Sequence, residues 1–394
     1  MPSLLDEWLW REEHWLPPGV TWEDMKDSDV ARYPRPRDLY ASIVCGFAFL
    51  AVRQLFERLV ALPLSKWMGV KERRRKRATP NPALERFYTQ HSKRPREKEM
   101  YRLSESCGLS PWQVQTWFQR RRNQDRPSVS QRFCDAGWRF TFYTLAFFAG
   151  LAVLFDKPWF WDQQECWEGY PQQVLLPSQY WYYMIELGFY WSLLFRISID
   201  VKRKDFKEQV VHHIATIFLM SFSYCANYIR VGTLVLLVHD ASDYIMEVAK
   251  MFNYAGWRRV CDWLFVIFAL VFLISRLFIF PNVVLYTTWC RSMQRFQPFF
   301  GYYFFNALLL LLQLLHLFWA YLILRMAFKF VFVGQIEKDE RSDDDEESEG
   351  TEEGGEAGLV SSKAGRGTGA GRVLNTIRSR MNNRRVNNGL PKAR

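Results

Sequence analysis

The sequence predicts an all-α, polytopic membrane protein of about seven transmembrane helices, with a small cytosolic three-helix domain. Three observations lead there. The first is charge segregation. Net charge is +11 over 394 residues, yet Lys66 to Arg132 alone holds 18 basic and 6 acidic side chains, a net of +12, and Glu337 to Glu356 holds 12 acids and 2 bases, a net of −10. The second is the apolar runs between these blocks. Phe296 to Leu324 is 29 residues without an acidic or basic side chain except His316, well beyond the ~18 that mark a membrane-spanning helix. The third is an aromatic content of 17%. Together they exclude a single soluble globule and a disordered chain. Seven cysteines without CxxC or Cys/His spacing exclude a disulfide scaffold and a zinc module.

Met1 to Asp38 is acidic and rich in Trp, with no short apolar region or small-residue cleavage site, so no cleaved signal peptide is expected. The first span, Leu39 to Val60, carries Arg53 and Glu57, which are four apart and able to pair on one helix face. Further spans are expected at Phe140 to Phe155, Tyr180 to Ile199, Ile214 to Ile229, Val231 to Ala249, Trp263 to Cys290 and Phe296 to Leu324. With seven spans, the basic block, the run Lys202, Arg203, Lys204 and Lys207, and the group Lys250, Arg258 and Arg259 all fall on one side. The lysine and arginine bias puts that side in the cytosol, the N-terminus in the lumen and the acidic tail in the cytosol. Arg291 and Arg295, in the last luminal connection, run against this rule. The expected domains are a luminal segment (1–38), a first span (39–60), the cytosolic three-helix domain (66–127), a membrane catalytic domain (131–333) and a polar tail (334–394).

Within the basic block the spacing predicts three short helices. Pro82 opens one that ends before Pro95. A second runs from Arg96 to Cys107, with Gly108 as its stop. Ser110 and Pro111, as N-cap and first residue, open a third that reaches about Asn123. The run Trp117-Phe118-Gln119-Arg120-Arg121-Arg122-Asn123 resembles the recognition helix of homeodomains. Homeodomains place an Asn directly before the paired arginines to read adenine, whereas Arg120 stands there. DNA binding is therefore not expected, and the basic face is expected to meet anionic lipid headgroups.

Ionisable groups inside spans are costly and mark function. His212 and His213 open the fourth span; Asp240, Asp243 and Glu247 form one helical stripe on the fifth. Metal ligation, a structural polar network and a catalytic site compete, and the set favours catalysis with no metal. His239 and the lone His316 read as packing residues, and Arg276 is expected to pair with Glu186.

His212-His213, Ser223-Tyr224, Arg230-Val231-Gly232 and His239-Asp240-Ala241-Ser242-Asp243 resemble the longevity-assurance motif of ceramide synthases. Asp200 to Glu208 and Phe300 to Asn306 are similar to animal members of that family, whose membrane domain is of the TLC type. The chain carries no N-x-Ser/Thr sequon. The resemblance implies transfer of a fatty acyl group from acyl-CoA, a substrate and not a cofactor, to the amine of a sphingoid base, in the endoplasmic reticulum membrane, with a homo- or heterodimer among its implied assemblies. It implies His212, His213, Asp240 and Asp243 as catalytic, and Lys202, Arg203, Lys204, Lys207 and Asn306 near substrate. Two chemistries are open: His212 as nucleophile with His213 as base, which is favoured, or a histidine acting only as base on the sphingoid ammonium. The luminal connection Arg291, Ser292, Met293, Gln294, Arg295, Phe296 and Gln297 is expected to measure the acyl chain, with Phe299 to Asn306 pointing to acyl groups of about C18 or longer by family analogy. Ser342, ahead of three aspartates, is a candidate phosphorylation site. A membrane-tethered DNA-binding regulator and a non-enzymatic lipid-binding protein are the readings from other classes.

Overall fold

The computed structural model describes residues 8–29, 31–72, 75–196 and 205–333. Among these, all regular structure is helical. Lys202, Arg203, Lys204 and Ser342 lie outside the described residues.

The first long helix, α1 (Leu39–Phe56), continues through wider turns to Trp67. Its Arg53 is buried and bonds Glu57 at 2.7 Å, as the i, i+4 spacing predicts, and also meets Asp135 of a later helix. Three short helices follow: α2 (Pro82–Gln90), α3 (Glu97–Cys107) and α4 (Pro111–Asp125). Their ends match the sequence signals. The Asn81 side chain accepts from Ala83 and Leu84, Gly108 closes α3 at φ 63°, and Ser110 accepts from the Gln113 amide. Leu84, Tyr88, Val114, Trp117 and Phe118 form their common core.

The remaining helices are α5 (Val129–Leu154), α6 (Pro177–Arg196), α7 (Phe206–Cys225), α8 (Ile229–Tyr254), α9 (Arg258–Leu273) and α10 (Phe300–Val333). From Leu273, α9 runs on as wide π-type turns around Pro281 to Arg291. Helix α8 is central: it packs on α5, α6, α7 and α9. Helix α1 packs on α6 through small residues. A Cβ on Gly188 would lie 2.7 Å from the Cys45 Cβ and 3.0 Å from the Ser42 carbonyl, a close approach of two helices that only glycine permits.

Among the described residues, four stretches are long and apolar enough to cross a membrane: Pro36–Trp67, Val129–Leu154, Arg258–Gln294 and Phe300–Phe330. Helices α6 and α7 have 20 residues each, about 30 Å of rise, and α8 has 26. They are less apolar, because α6 is rich in Tyr and Trp, α7 carries His212 and His213, and α8 carries Arg230, Asp240, Asp243 and Glu247. The apolar run from Ile214 to Ile229 is not one helix. Asn227, at φ 56°, breaks it and donates to the carbonyls of Pro171 and Gln173. Hydropathy counts side chains and is blind to that backbone reversal.

Candidate functional site

The ionisable groups of α6, α7, α8, α9 and α10 converge inside the bundle. Helix α7 presents His212 and His213, whose ring centroids are 5.6 Å apart. Tyr190 of α6 lies 6.4 Å from the first and 6.0 Å from the second. The His212 ring is nearly parallel to that of His239 on α8, at 6.4 Å and 19°, while Trp319 of α10 meets it edge-on at 5.4 Å. The Nδ1 of His212 has no hydrogen-bond partner among the described residues, so that nitrogen is uncommitted.

The carboxylates divide by partner. Asp243 bonds Arg276 at 3.1 Å, and Glu247 bonds Lys250 at 2.7 Å. The expected pair between Arg276 and Glu186 is not formed. Arg276 projects from the π-type stretch towards α8, where the carbonyl of His239, Ser242 and Asp243 all accept from its Nη2. Glu186 on α6 instead lies beside Asp240. Both Glu186 oxygens and Asp240 Oδ2 are buried, and among the described residues no group other than each other's carboxyl is placed to donate to them. Buried carboxylates without donors are costly, and their arrangement suits a cationic guest.

An apolar cavity leads away from this cluster. It is a narrow, partly open space, roughly 560 Å³ when the part continuous with solvent is counted, bounded by α6, α7, α8, α10 and Thr288. His239, Thr216 and Leu312 line one end; Tyr228, Ser223 and Phe305 line the other. That far end is plugged by aromatic rings. Tyr228 lies 4.5 Å from Phe305, 5.2 Å from Trp167 and 5.1 Å from Tyr170. Phe296, from the connection before α10, packs on Trp167 and Tyr170 behind them. Arg291 and Arg295 bond Asp162 and Glu168 of the connection between α5 and α6, at 3.3 and 2.7 Å. Those two arginines, odd by the charge rule, are thus each neutralised by an acid of the neighbouring connection.

The other candidates separate from the cluster. Lys207 is exposed at the start of α7. Asn306 is buried and donates to the carbonyls of Thr288 and Tyr302, tying α10 to the stretch after α9. Three site residues were not read as such in the sequence. His239 and His316 lie 77 positions apart, yet their Nε2 atoms are 3.0 Å apart, and Glu186 joins Asp240. The available signal was isolation: His316 is the one titratable side chain in Phe296 to Leu324, and Arg276 the one charge in Trp263 to Cys290. Among the described residues, no group of three or more His, Cys, Asp or Glu is placed to hold a metal ion.

On the three-helix domain, Arg121 is engaged internally. It bonds both Glu85 oxygens at 2.9–3.0 Å, meets Asp125, and sits over the Tyr88 ring at 4.8 Å. Asp125 is in turn held below its ordinary range: burial alone raises it, but its bonds to Arg121, Tyr88 and Lys93 outweigh that effect.

Residues 132–325 match the TLC domain family, and residues 71–127 match the homeodomain family. Over 90% of its length the chain is 52% identical to ceramide synthase 4 of Homo sapiens, spanning 89% of that protein. It is 51% identical to ceramide synthase 3 of Homo sapiens, over 86% of the chain and 88% of that protein. Against ceramide synthase 5 of Homo sapiens the figures are 44%, 88% and 89%.

Proposed function

The chain belongs to the ceramide synthase family, and on that premise we propose how its residues divide the work of sphingosine N-acylation. The reaction joins a fatty acyl group from acyl-CoA to the amine of sphinganine or sphingosine, giving dihydroceramide or ceramide. The observation that carries the reading is the apolar cavity ending at the imidazole cluster. A tail buried there is spared about 0.8 kcal/mol of aqueous exposure per CH₂.

His212 is the acyl acceptor. A nitrogen of its neutral imidazole attacks the thioester carbonyl; the C–N bond forms, the C–S bond breaks, and the electron pair leaves on the CoA sulfur, which takes the N–H proton that the acylated imidazole gives up. The sphingoid amine then attacks the acyl-imidazole carbonyl. His213 first takes a proton from the ammonium; the C–N bond then forms, the C–N bond to the imidazole breaks, and the imidazole leaves with its electron pair and takes the proton that the new amide nitrogen sheds. Asp240, beside Glu186, holds the sphingoid ammonium before it is deprotonated. Asp243 acts through Arg276 and not directly on an imidazole. Lys207, with Lys202, Arg203 and Lys204, meets the anionic CoA head.

The reading extends to topology. Helices α1 and α5–α10 make seven crossings in the endoplasmic reticulum membrane, with a luminal N-terminus and a cytosolic three-helix domain and tail. The plugged end of the cavity is then luminal. Each extra methylene in an apolar channel discriminates by only about 1–3 kcal/mol, so sharp selection needs a closed end. Arg291 to Gln297, through Phe296 and the ring of Tyr228, supplies it, with a preference for acyl groups of about C18 or longer by family analogy. Ser342 is a phosphorylation site, and the assembly is a homo- or heterodimer. The internal engagement of Arg121 disfavours a DNA-binding role.

The test is purified protein incubated with sphinganine and a ladder of acyl-CoAs, the products followed by mass spectrometry. His212→Ala and His213→Ala are expected to abolish N-acylation while leaving the protein folded. Substantial turnover in both would refute the site assignment.

A further inference from the structure

Two side chains on α10, the buried His316 and the partly buried Trp319, have no part in the steps above, yet they contact the cluster directly. His316 is fully buried, with its Nε2 3.0 Å from the Nε2 of His239. Trp319, one turn further on, packs edge-on against His212 at 5.4 Å and 88°.

The bond from His239 to the backbone assigns the tautomer of that ring. His239 Nδ1 is 2.7 Å from the Val235 carbonyl. A carbonyl only accepts, so Nδ1 carries the hydrogen, and in the neutral ring Nε2 is left as an acceptor. His316 must then donate from its own Nε2. That leaves a lone pair on His316 Nδ1, the nitrogen that has no partner among the described residues. Arg276 Nη1 is 3.2 Å from His316 Nε2; a guanidinium only donates, so this contact competes with the 3.0 Å contact to His239 for the same nitrogen, and a neutral His316 donating to His239 leaves it unmade. Arg276 is held instead by Nη2, whose shortest bond, 2.6 Å, is to the His239 carbonyl. Ring and backbone of His239 are therefore both pinned.

His212 lies against this fixed ring. His239 is nearly parallel to it on one side, and the Trp319 edge meets it on another. The Trp319 indole N–H donates to buried Asp205 at 3.3 Å. Asp205 directly precedes α7 and stands seven positions before His212, two turns along the same face.

We propose that His316 and Trp319 are positioning residues for the acyl transfer: His316 fixes the tautomer and orientation of His239, and His239 with Trp319 sets the ring of His212. The inference rests on His212 as acyl acceptor. Plain packing would explain the same burial, but packing needs only volume, whereas tautomer control needs a donor at the Nε2 position. Glutamine supplies such a donor there; phenylalanine supplies volume without one.

The experiment compares the full-length protein purified in detergent with its His316→Phe, His316→Gln, Trp319→Phe and His212→Ala variants, assayed with stearoyl-CoA and sphinganine. His316→Phe should lower kcat by about tenfold to a hundredfold with KM for both substrates within about twofold, the signature of a misplaced reacting group. His316→Gln should restore most of the loss. Trp319→Phe, which keeps a ring edge but loses the bond to Asp205, should lower kcat in the same way. Wild-type kcat in a folded His316→Phe, or an equal loss in the Gln and Phe variants, overturns the inference. Should His316→Phe fail to fold, an inactive His316→Gln or a fully active Trp319→Phe would overturn it equally. A His212→Ala variant that still turns over would sink the underlying reading instead, while an inactive one beside a fully active His316→Phe sinks this inference alone.

Discussion

At the scale of single residues, the site is governed by which carboxylate has a cation. Asp243 is compensated by Arg276, whereas among the described residues no basic side chain pairs with Asp240 or Glu186. The same conservative change should therefore act differently at the two positions. Asp243→Asn leaves the buried Arg276 charge without its counter-ion, which costs about 3–5 kcal/mol when a buried pair is broken, so a clear fall in melting temperature and in folded yield is expected. Asp240→Asn removes charge where no partner depends on it. It should leave the melting temperature near wild type and raise KM for sphinganine or lower kcat. Equal melting temperatures for the two variants would contradict the assignment. His212, His213 and the acidic stripe were legible in the sequence because histidines and carboxylates in apolar helices stand out. Their pairing was not. Arg276 is nearer in sequence to Glu247 than to Asp243, so separation along the chain does not name its partner, and the choice between Asp243 and Glu186 depends on how α9 turns around Pro281.

At the scale of helices, the cavity exists because residues on α8 and α6 are matched in size. Gly232 faces the Tyr183 hydroxyl so closely that a Cβ could not fit, and that hydroxyl lies 3.2 Å from Ser223. Gly232→Ala should push Tyr183 into the cavity and lower both stability and turnover, while Tyr183→Phe in the same chain should recover part of the loss. A Gly232→Ala variant with unchanged turnover would argue that the acyl tail does not pass between these helices. The far end offers a second test. Exchanging Cys290 to Gln297 for the connection of a relative with shorter acyl preference, or Tyr228→Ala alone, should shift the acyl profile: the exchange towards that relative, the alanine towards longer chains. An unchanged profile in both folded variants would rule out the aromatic plug as the ruler. Helix boundaries were readable from Pro82, Gly108 and Ser110-Pro111, which act locally. The break at Asn227 was not, because it is held by carbonyls of Pro171 and Gln173 more than 50 positions away.

At the scale of the whole chain, the proposed chemistry lies within residues 186–319 and the basic three-helix domain stands apart in sequence. Deleting Ala83 to Asn123 should weaken association with anionic membrane surfaces, where each basic residue contributes about 1 kcal/mol, and leave turnover in detergent largely intact. A folded deletion variant without turnover would contradict that separation. The central claim is that an acyl group is carried on His212 at the mouth of an apolar cavity. The most direct measurement is intact-protein and peptide mass spectrometry of the purified enzyme after incubation with stearoyl-CoA alone, without sphingoid base. The account predicts one acyl adduct per chain on the peptide containing His212, absent from His212→Ala and discharged as ceramide when sphingosine is added. An active enzyme that forms no adduct, or one that carries the adduct on another residue, would contradict it.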